Sequence, residues 1–142
     1  MGEHESFADP RAFLRNLPFV REYGIEVLSA EPGSVTVAMP IEARFSTPPD
    51  NVPASIVGTV GDVAAVASCL SSVPDGWAVA TLDFTVKMTG PARGEKLIAR
   101  GRVLQHGRTN SVGAADIFCV ADGTETQCGS LLATTRNFQI KG

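Results

Sequence analysis

Between Ser55 and Ser72 every residue but one is apolar, Gly, Ser or Thr, and the exception is Asp62. At about 100° per residue the segment predicts a helix with two distinct faces. Ile56, Val60, Val63, Ala64, Ala67 and Leu70 fall on one side; Ser55, Gly58, Thr59, Asp62, Ala65 and Cys69 fall on the other. A helix apolar almost all round is one that its neighbours bury, and a carboxylate inside it is costly unless partnered or put to use. Two explanations stay open: Asp62 caps a loop or pairs with a buried Arg, or it does chemistry. The small residues beside it leave room for a ligand or for another backbone.

Elsewhere the pattern is that of strands. Asp9-Pro10 predicts a short helix start, with Phe13, Leu14 and Leu17 as its apolar stripe and Pro18 closing it. Residues 24 to 31 and 34 to 40 read as a hairpin around Pro32-Gly33, with Val35, Val37 and Met39 alternating against Ser34, Thr36 and Ala38. A proline-rich loop from Ile41 to Pro53 leads into the central helix. Four apolar runs follow, at 77 to 89, 95 to 105, 109 to 121 and 124 to 136, separated by Gly90-Pro91, His106-Gly107 and Asp122-Gly123. They predict a four-stranded meander. Antiparallel strands this long must bury one face, and the central helix is the only apolar element able to fill it. The expected fold class is therefore α+β, a sheet curled around one helix with a short N-terminal helix, and 142 residues suit one domain over 1–142.

Composition narrows the function classes. With 44% hydrophobic and 19% charged residues the chain is an ordinary globular one. A net charge of −3 without a basic run argues against nucleic acid as a partner. The N-terminus has neither a basic nor an apolar segment of the secretory kind, and no uncharged run is long enough to span a membrane. Cys69, Cys119 and Cys128 are odd in number and form no CxxC, which fits small core-filling residues in a reduced, cytoplasmic setting. His4 and His106 lie far from any ligand-like spacing, so no metal is expected.

Along the chain stand Pro18-Phe19 then Gly24-Ile25, Asp62 in the central helix, Thr81 and Asp83 in a Thr-x-Asp strand, Gly90-Pro91-Ala92, and Gly107-Arg108. These residues, with the order of elements, resemble the hotdog-fold acyl-CoA thioesterases, especially the phenylacetate-pathway type. The resemblance runs over about residues 18–137. It implies a hotdog fold and thioester hydrolysis. Asp62 would be general base or nucleophile, the Ala54 N–H would polarise the carbonyl at the positive end of the helix, and the Thr81 hydroxyl would assist. It further implies no cofactor, coenzyme A entering as part of the substrate, with Arg108 on its phosphates. Ala54 and Asp62 are eight residues apart, roughly 12 Å along a helix, too far to share one carbonyl. Two chains with antiparallel central helices would bring them together, so a homodimer, or a tetramer of paired dimers, is expected.

Where the family has His-Gly-Gly at the helix start, this chain has Pro53-Ala54-Ser55. The family's upstream Asn aligns with Thr47, with Asn51 as the substitute if the loop is displaced, so Thr47, Asn51, Ser55 and Arg108 are the candidate substrate-binding residues. Strict alternation puts Thr81 on a face with Asp83, Thr85 and Lys87, opposite Leu82, Phe84 and Val86, and would let it reach the site only at a seam between chains. Two rivals follow. An acyl or CoA binder without turnover would keep the tunnel and lose the chemistry, whereas an enoyl hydratase would need a histidine near the helix start, where neither His4 nor His106 lies.

Overall fold

The computed structural model describes residues 7–140; His4 lies outside them. Asp9 accepts a hydrogen bond from the Arg11 N–H at 3.0 Å and Pro10 opens α1 (Pro10–Arg15), as its cap chemistry predicts. Pro18 does not merely close this helix. It opens a second one, α2 (Pro18–Tyr23), because a proline at the first helical position gives up only an N–H that has no partner there; Gly24, at φ 72°, ends it.

The hairpin of β1 (Glu26–Glu31) and β2 (Ser34–Pro40) and the helix α3 (Ala54–Leu70) lie where the patterning places them, and a short 3₁₀ turn covers Ala43–Phe45. Strands β3 (Trp77–Met88), β4 (Lys96–His106), β5 (Asn110–Ala121) and β6 (Thr124–Gln139) complete the chain. Asp122 and Gly123 both take positive φ, 51° and 77°, the backbone twist that a two-residue hairpin needs.

The meander holds only for β4, β5 and β6. The sheet order is β1-β2-β4-β5-β6-β3, so β3 pairs with β6 at one edge while β4 lies beside β2. The segment after Gly90-Pro91 is a crossover rather than a hairpin turn. It is tied to the loop before α3, with Val52 N–H donating to the Ala92 carbonyl at 2.9 Å and Ile41 N–H to the Glu95 carbonyl at 2.9 Å. Sequential apolar runs report strands but not which neighbour each one finds once the sheet closes around a helix.

The antiparallel sheet curls around α3, whose residues Val63 to Leu70 are all buried. Contact is at backbone distance: a Cβ on Gly101 would lie 2.3 Å from the Ala64 carbonyl oxygen, and one on Gly113 would lie 3.0 Å from the Ala65 oxygen and the Cys69 Sγ. Two buried serines fix the helix along its axis. Ser68 Oγ accepts from Val35 N–H at 3.0 Å, and Ser71 Oγ accepts from Gly33 N–H at 2.8 Å. Gly101→Ala should therefore push strand and helix apart and cost about 1–3 kcal/mol of stability, measured by urea unfolding followed by circular dichroism. Unchanged stability would mean that the close approach is not maintained in solution.

Candidate active site on the central helix

The sheet leaves one stripe of α3 uncovered. Ala54 and Ser55 are exposed, and Ile56, Thr59 and Asp62 are half-buried, whereas Gly58 and Ala65 are buried within the chain. The small residues beside Asp62 thus serve internal packing: Gly58 receives the Phe84 ring and Ala65 lies against Gly113. Any second backbone must meet α3 along the neighbouring stripe.

Asp62 is held by one hydroxyl. Thr81 Oγ1 donates to its Oδ1 at 2.8 Å, and among the described residues no ion pair reaches it. Neither a loop cap nor a buried Arg accounts for the carboxylate. Burial pushes the Asp62 carboxyl above its ordinary value, and the Thr81 hydrogen bond, which favours the charged form, offsets only part of this. A carboxylate made more basic by desolvation is a better proton acceptor.

Thr81 reaches Asp62 within its own chain, which strict alternation does not allow. The pairing of β3 with β6 shifts between Thr81 and Asp83, so that Thr81 faces Thr135, Asp83 faces Thr134, and Leu82 is left as a bulge, 57% exposed. Before the bulge Val79 and Thr81 face the helix; after it Phe84 and Val86 do. The extra residue lets a polar side chain and an aromatic one share the helix-facing side at odd spacing. The available signal was Val79, an apolar position out of step with Phe84 and Val86.

At the start of α3, Ile56 and Val57 N–H groups donate to the Pro53 carbonyl at 3.0 and 3.1 Å. The Ala54 and Ser55 N–H groups precede the helical ladder, on two exposed residues. Thr47 and Asn51 close the adjoining loop on each other: Thr47 N–H and Oγ1 both donate to the Asn51 carbonyl, at 2.7 and 2.9 Å. The Asn51 side chain is pinned as well, its Oδ1 accepting from Ala92 N–H at 3.0 Å, which leaves the amide Nδ2 as its free donor. Arg108 is exposed on the turn between β4 and β5, past the strand residues that cover the end of α3, and so lies at the opposite end of the helix from Ala54. One chain therefore unites Asp62 with Thr81, gathers Thr47, Asn51, Ala54 and Ser55 at the helix start, and keeps Arg108 apart from both.

The Cys69 and Cys128 thiols are poorly suited as nucleophiles. Burial pushes the Cys69 thiol up, Asp62 adding to the effect, and pushes the Cys128 thiol up to about 12. Among the described residues no cluster of His, Cys, Asp and Glu could hold a metal ion, and no helix is long and apolar enough to cross a membrane.

Neither a protein-family model nor a curated protein sequence matches the chain. Solved structures do. A thioesterase family protein from Silicibacter pomeroyi shares 28% identity at a TM-score of 0.90, the match covering 92% of this chain and 96% of that one. The PaaI protein of the E. coli phenylacetic acid degradation operon shares 20% identity at a TM-score of 0.79, with 94% and 92% covered. A thioesterase from Haemophilus influenzae shares 19% identity at a TM-score of 0.81, with 93% and 90% covered. The structural neighbours of this chain are thioesterase-family hotdog proteins. Its own fold is the hotdog fold, a six-stranded antiparallel sheet around one helix.

Within this hotdog sheet the Asp62 carboxyl binds its proton more tightly folded than unfolded. Its contribution to stability is thus full below the ordinary carboxylate value and is lost as pH rises through the higher folded value. Asn at this position stays neutral and still accepts from Thr81. Asp62→Asn should melt above the wild type near neutral pH, with the gap closing below about pH 4. Thermal melts across that range test it; a variant that melts lower at every pH would make Asp62 a stabilising structural residue.

Proposed function

We propose that this protein hydrolyses an acyl-CoA or related thioester, with Asp62 as general base, in sites shared between two copies of the chain. The observation that carries the reading is the half-buried Asp62 carboxylate, held among the described residues by Thr81 alone, on the uncovered stripe of a helix whose other faces are buried. Thioester hydrolysis is also the chemistry that the thioesterase-family neighbours suggest.

Water adds to the thioester carbonyl carbon as Asp62 takes its proton, and the negative charge develops on the carbonyl oxygen. That charge needs preorganised donors, which the N–H groups left without a helical partner at a helix start supply together with the helix dipole. Collapse expels the thiolate, and the proton held by Asp62 returns to it, giving free acid and thiol. The Ala54 N–H lies two turns, roughly 12 Å, from Asp62 of the same chain, so the donor is the partner's Ala54 in an antiparallel helix pair. The homodimer, alone or paired into a tetramer, follows from this distance. In that pairing the partner's Arg108 lies beyond the start of α3, roughly 12 Å or more past Ala54 along the axis, on the side from which coenzyme A phosphates extend, while Thr47, Asn51 and Ser55 surround the entering thioester. The Asn51 Nδ2 is the donor best held for the substrate, because Ala92 fixes its amide.

Acyl or CoA binding without turnover is the rival reading, and Pro53 favours it by removing one N–H at the helix start. Thiol release from acyl-CoAs separates the two. Asp62→Asn should lower kcat/KM by about 10²-fold or more while the folded oligomer persists. Tight acyl-CoA binding with no Asp62-dependent release of thiol would establish the binder instead.

The shared site is tested by mixing two inactive variants, Asp62→Asn and Ala54→Pro. Each mixed dimer keeps one site with both parts intact, so about half of the wild-type activity per heterodimer is expected. Background activity in heterodimers verified by mass spectrometry, or an active monomer by light scattering, would overturn the shared arrangement.

A further inference from the structure

We infer that the Phe84 ring, seated on the bare backbone of Gly58, sets the size of acyl group that the Asp62 site accepts; the inference rests on the hydrolase reading above. Strand β3 runs antiparallel to α3 along the sheet edge, with Thr81 level with Asp62 and Phe84 with Val86 level with Gly58. The tip of the ring is what a Cβ on Gly58 would meet, at 2.9 Å from Cε1 and 3.2 Å from Cζ. Phe84 is 40% exposed, so it borders the uncovered stripe instead of closing into the core.

Gly58 lies one turn, roughly 6 Å along the helix, from Asp62 and the same distance from Ala54. An antiparallel pair with Ala54 level with the partner's Asp62 puts Gly58 level with the partner's Gly58. Both Phe84 rings then stand between the two sites, at the height of the two-fold axis.

An acyl-CoA has one end that must stay in water, since its phosphates are too costly to bury. The thiol side therefore leads outward and the acyl side inward along α3. Beyond Asp62 there is no opening: Val63 to Leu70 are buried, Val66 at 9% and Leu70 at 2% exposure, and Leu70 packs against Val73 and Val79. The acyl group extends the other way, toward Gly58, and meets Phe84. Short chains and compact aryl groups, which stack against the open part of the ring, fit in front of it; long straight chains do not.

The test is kcat/KM for straight-chain acyl-CoAs from butanoyl to tetradecanoyl, with one aryl-acyl-CoA, measured as thiol release. Phe84→Ala should raise the ratio of long-chain to short-chain kcat/KM about tenfold or more. Gly58→Ala, which drives the ring toward the stripe while favouring the helix, should lower the same ratio. The double variant should behave like Phe84→Ala alone, because the added methyl then has no ring to displace; a merely structural role of Gly58 would keep its own effect in both backgrounds. Phe84→Leu, closer in volume, guards against misfolding and should give an intermediate ratio. Asp62-dependent hydrolysis with an unchanged ratio in Phe84→Ala and Phe84→Leu would overturn this assignment alone. A wild type that hydrolyses none of the series would overturn the hydrolase reading, and the assignment with it.

Discussion

The contact of α3 with the backbone of its own sheet is the constraint from which the rest follows. Gly101 and Gly113 carry no side chain because the helix carbonyls of Ala64 and Ala65 occupy that space. A helix held so close cannot roll, and Ser68 and Ser71 stop it from sliding by accepting backbone N–H groups from Val35 and Gly33. The sheet and α1 cover the rest of the helix surface and leave the narrow stripe from Ala54 to Asp62. Asp62 stands at the boundary between buried and open helix, which makes its carboxylate both poorly solvated and reachable.

The electrostatics at that boundary are set by two opposed effects. Loss of water raises the carboxyl above its ordinary value, and the Thr81 hydroxyl pulls it back by a smaller amount. A cation in place of Thr81 would have fixed the charge and removed the basicity. A hydroxyl instead orients one oxygen and leaves the other for a ligand. Such an arrangement sacrifices stability at neutral pH, as functional sites commonly do.

The bulge at Leu82 is the device that completes the pair. A regular strand alternates faces, so Thr81 and Phe84 could not both face one helix. One unpaired residue changes the phase, giving Asp62 its hydroxyl and Gly58 its ring on the same edge strand. The Asp62–Thr81 hydrogen bond and the Phe84 ring beside it thus come from one local irregularity.

Much of this was legible in the sequence. The isolation of Asp62 among apolar and small residues marked both the buried helix and its unusual charge, and the period-two runs with Asp122-Gly123 and His106-Gly107 located the strands. The Asp9-Pro10 pair starts α1, whereas Pro18 reads as a helix end and opens α2, because a proline can open a helix as well as end one. Local patterning determines elements since it reflects each residue's own exposure and propensity. Strand order, the bulge, the covering of Gly58 by Phe84 and the separation of Arg108 from Ala54 were decided by the tertiary structure alone. They depend on how the sheet closes around the helix, and that closure is fixed by contacts between residues far apart in the chain, which no local period records.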